Sequence, residues 1–153
     1  RRGRPLRIAI LAAAILAASA APGLASGGIG CEVRDAAVTL DVGIGMSRSG
    51  GGFFNVDARL AIASTDLPAD MRSVVLDDAL VHDWIDADEL KLHFHHERAA
   101  GDFMSLDLVI EAKAVEEGLF AGDYAVSVFG VAPPVGDETD TWSVEGTVVC
   151  FVE

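Results

Sequence analysis

Apolar and polar side chains alternate along most of this 153-residue chain, and no other feature constrains its fold as strongly. Apolar residues occupy the even positions of residues 38–46 and, after a glycine-rich break, those of residues 54–62. A period of two residues is typical of a strand with one buried face. These two segments therefore predict a β-hairpin joined by a turn at residues 47–52.

The same alternation continues to the C-terminus. Four further segments show it: residues 90–94, 104–112, 124–128 and 142–152. Residues 73–81 fit a strand less clearly, because Leu76 and Leu80 would also suit one face of a helix. We expect residues 82–88 to form an acidic connection. About seven strands without a long helix predict an all-β fold, an antiparallel β-sandwich of immunoglobulin-like architecture, with a small β-barrel as the runner-up.

Residues 120–126 resemble the tyrosine corner of immunoglobulin-like sandwiches. The resemblance implies that the Tyr124 hydroxyl bonds back to the connection that precedes its strand. The cysteines depart from the immunoglobulin pattern because they lie near the ends of the chain rather than centrally. The resemblance therefore concerns the architecture and no family.

The N-terminus has the three parts of a secretory signal. A basic stretch covers residues 1–7, an apolar run covers residues 8–18, and small residues with a proline follow up to Ala25. Eleven apolar residues are too few for a spanning helix, which needs roughly 20. We predict a signal peptide over residues 1–25 and one domain over residues 26–153. The mature protein would be periplasmic or secreted and not stably inserted in a membrane; an uncut N-terminal anchor is the alternative.

The predicted export to an oxidising compartment determines how we interpret the two cysteines. Cys31 and Cys150 lie near the two ends of the predicted mature chain, and neither has a histidine within ten positions. In an oxidising compartment such a pair is most simply a disulfide. A reactive thiol and a metal pair are the alternatives. The parity of Cys31 differs from that of the strand after it, so a turn or bulge is expected at residues 34–37.

The charge of the predicted domain limits its partners. Residues 26–153 carry 7 basic and 24 acidic side chains. Such a surface repels phosphate backbones and anionic lipids, so nucleic acid is a poor partner. A basic protein or another cationic ligand is favoured through electrostatic steering.

The sequence His93-Phe94-His95-His96-Glu97 is the most specific chemical feature. On a strand, His93 and His95 project from one face roughly 6–7 Å apart, a spacing that suits one divalent ion. Imidazole favours zinc, copper or nickel. Asp107 could add a carboxylate if the strand register places it opposite, and His82 is a possible third imidazole. The alternative is an ordinary polar outer face.

Two acidic segments are weaker candidates for calcium, which needs six to eight oxygen ligands. They are residues 83–89, which surround Trp84, and residues 137–140. Neither has the spacing of an EF-hand, and an acidic loop is usually solvated. Trp84 lies among acids, so it is a possible contact residue, whereas Trp142 has the parity of the core.

Recognisable catalytic motifs are missing. There is no Gly-x-Ser-x-Gly sequence, and residues 50–52 lack the Lys-Ser/Thr of a phosphate-binding loop. The leading hypothesis is therefore an exported, non-catalytic envelope or interaction module that binds an unknown partner through its loops or a sheet edge. The alternative is a metal-binding domain or metalloenzyme centred on His93 and His95.

Overall fold

The structure, a computed structural model, describes residues 26–47, 52–131 and 140–153. The all-β prediction is confirmed: these residues form antiparallel strands and one four-residue helix, α1 (Ala69–Arg72). The strands are β1 (Ser26–Arg34), β2 (Val38–Ser47), β3 (Phe53–Ile62), β4 (Ser73–Val75), β5 (Leu80–Ile85), β6 (Glu89–Glu97), β7 (Ser105–Glu116), β8 (Leu119–Phe129) and β9 (Thr141–Val152). No helix in these ranges is long and apolar enough to cross a membrane.

Some predicted features lie outside the described residues. They are the signal segment at residues 1–25, most of the glycine-rich turn, and Asp137 and Glu138 of the acidic loop.

The strands form one antiparallel sheet in the order β4-β3-β2-β1-β9-β8-β7-β6-β5, curled into a half-barrel. This differs in detail from the expected seven strands in two stacked sheets. The ladder between β1 and β9 has four residue pairs, whereas the adjoining ladders β1–β2 and β8–β9 have nine and eleven. The sheet therefore has a four-stranded half and a five-stranded half, whose inward side chains share one core.

The sequence pattern did not predict β1. Its buried residues Ile29, Cys31 and Val33 alternate with solvent-side positions, of which Gly28 and Gly30 have no side chain. Because glycines occupy outer-face positions where polar side chains would be expected, the apolar–polar alternation is not visible in this segment. The turn expected at residues 34–37 is present, since β1 ends at Arg34 and β2 begins at Val38. The two strands consequently bury residues of opposite parity.

The connector between β4 and β5, Leu76–Ala79, brings the two ends of the sheet together. The Leu76 amide donates a hydrogen bond to the carbonyl of Ala58 in β3, at 2.8 Å. The Asp77 side chain accepts one from the Ala58 amide, at 2.9 Å. At its other end, the Ala79 carbonyl accepts a hydrogen bond from the amide of His95 in β6, at 2.8 Å. The sheet must curl because four residues reach from β3 to β6.

An ion pair supports the same closure. The guanidinium of Arg98, just after β6, contacts both carboxylate oxygens of Asp70 in α1, at 2.6 and 3.1 Å. This bidentate geometry is the strong form of a charge-assisted hydrogen bond. It joins the segment that follows β3 to the segment that follows β6.

Tyr124 does not form a tyrosine corner. Its buried side chain donates a hydrogen bond to the carboxylate of Asp35, in the turn between β1 and β2, at 2.5 Å. The ring passes over Gly146 of β9, where a Cβ atom would lie 2.6 Å from Cε1 of the ring. This hydrogen bond, together with the backbone amides of Val38 and Ala37, lowers the pKa of Asp35. Tyr124 therefore links β8 to the first turn of the chain rather than to the connection before it.

The predicted disulfide is confirmed. Cys31 and Cys150 face each other in the β1–β9 ladder, with their Cα atoms 4.1 Å apart and a sequence separation of 119 residues. Both side chains are buried. The bond lies in this four-pair ladder, where it fixes the junction of the two halves.

Replacing both cysteines by alanine should lower the free energy of unfolding by about 4–5 kcal/mol, because the closed loop restricts the unfolded chain. Denaturant unfolding measures this loss, and the wild type in reductant is the matched control that should reproduce it. Mass analysis of the oxidised protein after thiol alkylation should detect no free thiol. Alkylation of both cysteines would contradict the closure.

Candidate functional site

The predicted histidine pair lies on the outer face of the five-stranded half. Even-numbered side chains of β6 and β7, such as Phe94 and Leu108, are buried, so the odd-numbered ones point outward. His93 and His95 share this face, and each side chain is about one-third exposed. Asp107 of β7 is the direct register partner of His95.

Both imidazoles converge on one carboxylate oxygen. His93 Nε2 lies 2.7 Å and His95 Nδ1 lies 3.0 Å from Oδ1 of Asp107. Two hydrogen bonds to an ionised carboxylate require an N–H on His93 Nε2 and on His95 Nδ1. Asp107 thus fixes the tautomers and orientations of both rings.

These hydrogen bonds shift the pKa values of His95 and Asp107. The hydrogen bond to Asp107 raises the pKa of His95, and Glu97 adds a smaller effect. For Asp107, partial burial acts to raise the pKa, but the hydrogen bonds from His93 and His95 outweigh it and the pKa is lowered. The protonated histidine and the ionised carboxylate therefore favour each other.

His82 does not join this group. It lies in β5 opposite His93, and the two rings stack with their centroids 5.8 Å apart and 12° between their planes. Asp107 accepts its hydrogen bonds from His93 and His95, whereas the contact of His82 is the stacking on His93. The structure therefore brings His93 and His95 together through Asp107 and places the third imidazole beside them as a packing partner.

The expected metal ligands His93, His95 and Asp107 are hydrogen-bonded to one another. His93 Nε2 and His95 Nδ1 are occupied by hydrogen bonds to Asp107. Within residues 26–47, 52–131 and 140–153, no group of three or more histidine, cysteine, aspartate and glutamate side chains is arranged to hold a metal ion. A zinc, copper or nickel ion bound through these two nitrogens would have to displace both hydrogen bonds.

The acidic segment proposed for calcium has a structural use. Asp86 accepts hydrogen bonds from the amides of Asp88 and Glu89, at 2.8 and 2.9 Å, and thereby shapes the turn between β5 and β6. These bonds lower the pKa of Asp86. Asp83 lies two residues before the turn, in β5. The carboxylates of this segment are therefore spread along a strand and its turn.

Trp84 lies in a strand, which corrects the expectation of an acidic connection at residues 82–88. β5 was missed because its pattern is inverted. Its apolar Trp84 faces outward beside Lys91, and its charged Asp83 lies on the core-facing side opposite Leu92. A register shift after Leu80 adds one residue and moves the parity again. The combination of Val81, Trp84 and Ile85 was the remaining strand signal.

β5 is the outermost strand at one end of the sheet and is exposed on both faces. The Trp84 side chain is 57 % exposed, and Val81 is 48 % exposed. Beside Trp84 runs a groove of about 340 Å³. Its lining combines the stacked imidazoles with apolar and charged side chains: His82, Asp83, Trp84, Lys91, Leu92, His93, Val109 and Glu111.

The free edge of β5 offers backbone groups as well as side chains. At the turn, the Asp86 amide donates to the Glu89 carbonyl, at 3.0 Å. Hydrogen-bonded pairs alternate in an antiparallel ladder, so His82 and Trp84 bond to β6. The backbone N–H and C=O groups that point away from β6 are those of Asp83 and Ile85. Among the described residues, no other strand pairs with this edge.

Comparisons with protein-family models, curated proteins and solved structures found no match to this chain.

Replacing Asp107 by asparagine should lower the pKa of His95 towards its ordinary value, because the charge-assisted hydrogen bond is lost. An NMR titration of the His95 Cε1 proton measures the change. Glu97→Gln is the matched control and should have the smaller effect, since Glu97 Oε1 lies 3.8 Å from His95 Nε2. A His95 titration that Asp107→Asn leaves unchanged would contradict the assigned hydrogen bond.

The same substitution should destabilise the fold most between pH 3.8 and 6.5, the ordinary pKa values of the two groups. The raised pKa of His95 gives stability that is lost as the pH rises through that pKa. The lowered pKa of Asp107 gives stability that is lost as the pH falls through it. Repeating these unfolding measurements with zinc tests the metal hypothesis. A metal bound to His95 would keep its imidazole deprotonated and would thereby change the pH dependence of stability.

Proposed function

We propose that this protein is an exported, non-catalytic interaction module that binds an extended segment of a partner protein along the free edge of β5. The single observation that carries the proposal is a six-residue edge strand exposed on both faces, with Trp84 and outward-pointing backbone groups side by side. A peptide that adds a strand to a sheet gains affinity from main-chain hydrogen bonds and specificity from alternate side chains.

The opposite end of the sheet is less suited to this role. Its outermost strand, β4, has three residues, and very short edge strands are a common protection against further pairing. β5 is twice as long and carries an indole ring, a side-chain type that is enriched at binding hot spots. The asymmetry of the two ends favours β5 as the edge that receives a partner.

Export is supported by two features of different kinds. The first 25 residues have the three parts of a secretory signal. Cys31 and Cys150 form a buried disulfide, a bond that persists in oxidising compartments. The two features together support a periplasmic or secreted location, and the partner would be another protein of the same compartment.

The charge of the chain favours a basic partner. Residues 26–153 carry 24 acidic side chains against 7 basic ones, and Asp83, Asp86, Asp88 and Glu89 lie in or next to β5. Such a field accelerates the encounter with a basic protein and discourages self-association. The expected contribution is to association rate and partner choice more than to affinity.

Selection of eight-residue segments from a random library on the oxidised protein should return peptides whose binding depends on Trp84. Trp84→Ala should weaken them about tenfold, as expected for an aromatic anchor. Phe151→Ala is the matched control, because Phe151 is 51 % exposed but lies in β9, away from β5.

Backbone methylation distinguishes strand addition from other modes of binding. In an added strand, alternate amides face β5 and the others face solvent. Of two isomers of a selected peptide, methylated on alternate backbone nitrogens, one should lose binding and the other should keep it. Equal binding of both isomers, or a selection that yields no Trp84-dependent peptide, would contradict the proposal.

A further inference from the structure

Asp83 is an unusual side chain for its position. Its register partner is Leu92, which is 1 % exposed, and the neighbouring residues on that face of β6, Leu90 and Phe94, are fully buried. Asp83 therefore stands at the rim of the core-facing side of the sheet. Its carboxylate is exposed and makes no hydrogen bond or ion pair within the part of the chain that the structure describes.

A charge on the core-facing side of an edge strand prevents indiscriminate pairing. A neutral strand added there would leave the carboxylate beside an apolar neighbour, at the cost of its hydration. A second copy of β5, added antiparallel, would bring like charges close together, which destabilises the pair. Natural proteins protect sheet edges with inward-pointing charges in this way. The charge disfavours a second copy and favours a strand that carries a basic residue.

The other face of β5 has different chemistry. His82 and Trp84 point outward there, and the groove beside them has Val109 among its lining residues. Lys91 lies next to Trp84 on the same face, with its ammonium 3.8 Å from both Glu89 and Glu111. A basic side chain of the partner would meet Lys91 on this face. An apolar side chain would instead cover the exposed indole and fill the groove.

Successive side chains of a strand point to opposite faces, so the two faces of β5 impose an alternating pattern on whatever pairs with it. We infer that the partner segment has a lysine or arginine opposite Asp83, flanked on each side by an apolar residue that packs against His82 or Trp84. This inference rests on the proposed strand addition and names the sequence pattern of the segment that is added.

Three nine-residue peptides test the pattern, with the central sequences Val-Lys-Val, Val-Gln-Val and Val-Glu-Val. Titration of the oxidised protein with each, followed by NMR at the Trp84 indole N–H up to millimolar peptide, gives the dissociation constants. The lysine peptide should bind roughly two- to fivefold more tightly than the glutamine peptide, the range for an opposite-charge cross-strand pair. The glutamate peptide should bind most weakly, and added salt should reduce these differences.

Exchange of the charge in the protein supplies the decisive control. Asp83→Asn should abolish the preference for lysine, and Asp83→Lys should reverse it in favour of the glutamate peptide. Asp123→Asn is the matched variant, since Asp123 is an exposed acid on the outer face of β8, and the preference should survive it. Restoration of binding by the paired charge exchange is not expected of a merely structural role for Asp83.

The outcomes separate this inference from the function on which it depends. If all three peptides bind equally and remain sensitive to Trp84→Ala, strand addition stands and the charge pattern is overturned. If the preference for lysine persists in Asp83→Asn and Asp83→Lys, another acid is responsible and the inference is overturned. If no peptide perturbs Trp84, or if the wild type forms a dimer through β5, both proposals fall.

Discussion

The four-residue connector Leu76–Ala79 is the constraint on which the rest of the structure depends. It joins two strands at opposite ends of one sheet, and its backbone and the Asp77 side chain hydrogen-bond to β3 on one side and β6 on the other. A flat nine-stranded sheet could not be bridged by so short a segment, so the sheet curls and its inward side chains gather into one core. The disulfide fixes the opposite junction, between β1 and β9.

The same constraint determines which surfaces remain free. The connector ends where β5 begins. β5 is therefore the last strand of the sheet, and no described strand pairs with its outer edge. On the outer face behind it, Asp107 holds the rings of His93 and His95, and His93 in turn supports His82 of β5 by stacking. The histidines that suggested a metal centre thus form a polar cluster directly behind the proposed binding edge.

Much of the fold could be predicted from the sequence wherever one face of a strand is apolar and the other polar, as in β2, β3 and β7. The predicted oxidising compartment likewise indicated the pairing of Cys31 with Cys150, which the structure contains. The alternation did not reveal strands whose polarity does not match the two faces of the sheet. β1 has glycines instead of polar side chains on its outer face. β5 is exposed on both faces, with Asp83 on the core-facing side and Trp84 on the outer side. The pairing of Asp107 with the histidines depended on a register that alternation within one strand does not determine. β5, which carries the proposed function, therefore lacks the alternation that revealed β2, β3 and β7.

Amide hydrogen exchange along β5 tests the central claim, that this strand bonds to β6 on one side and to no described strand on the other. The account predicts slow exchange for His82 and Trp84, whose amides bond to β6, and fast exchange for Asp83 and Ile85, whose amides point outward. Uniform protection of all four amides would show that the edge is already covered. Uniformly fast exchange would show that β5 is not paired with β6, and either result would contradict the account.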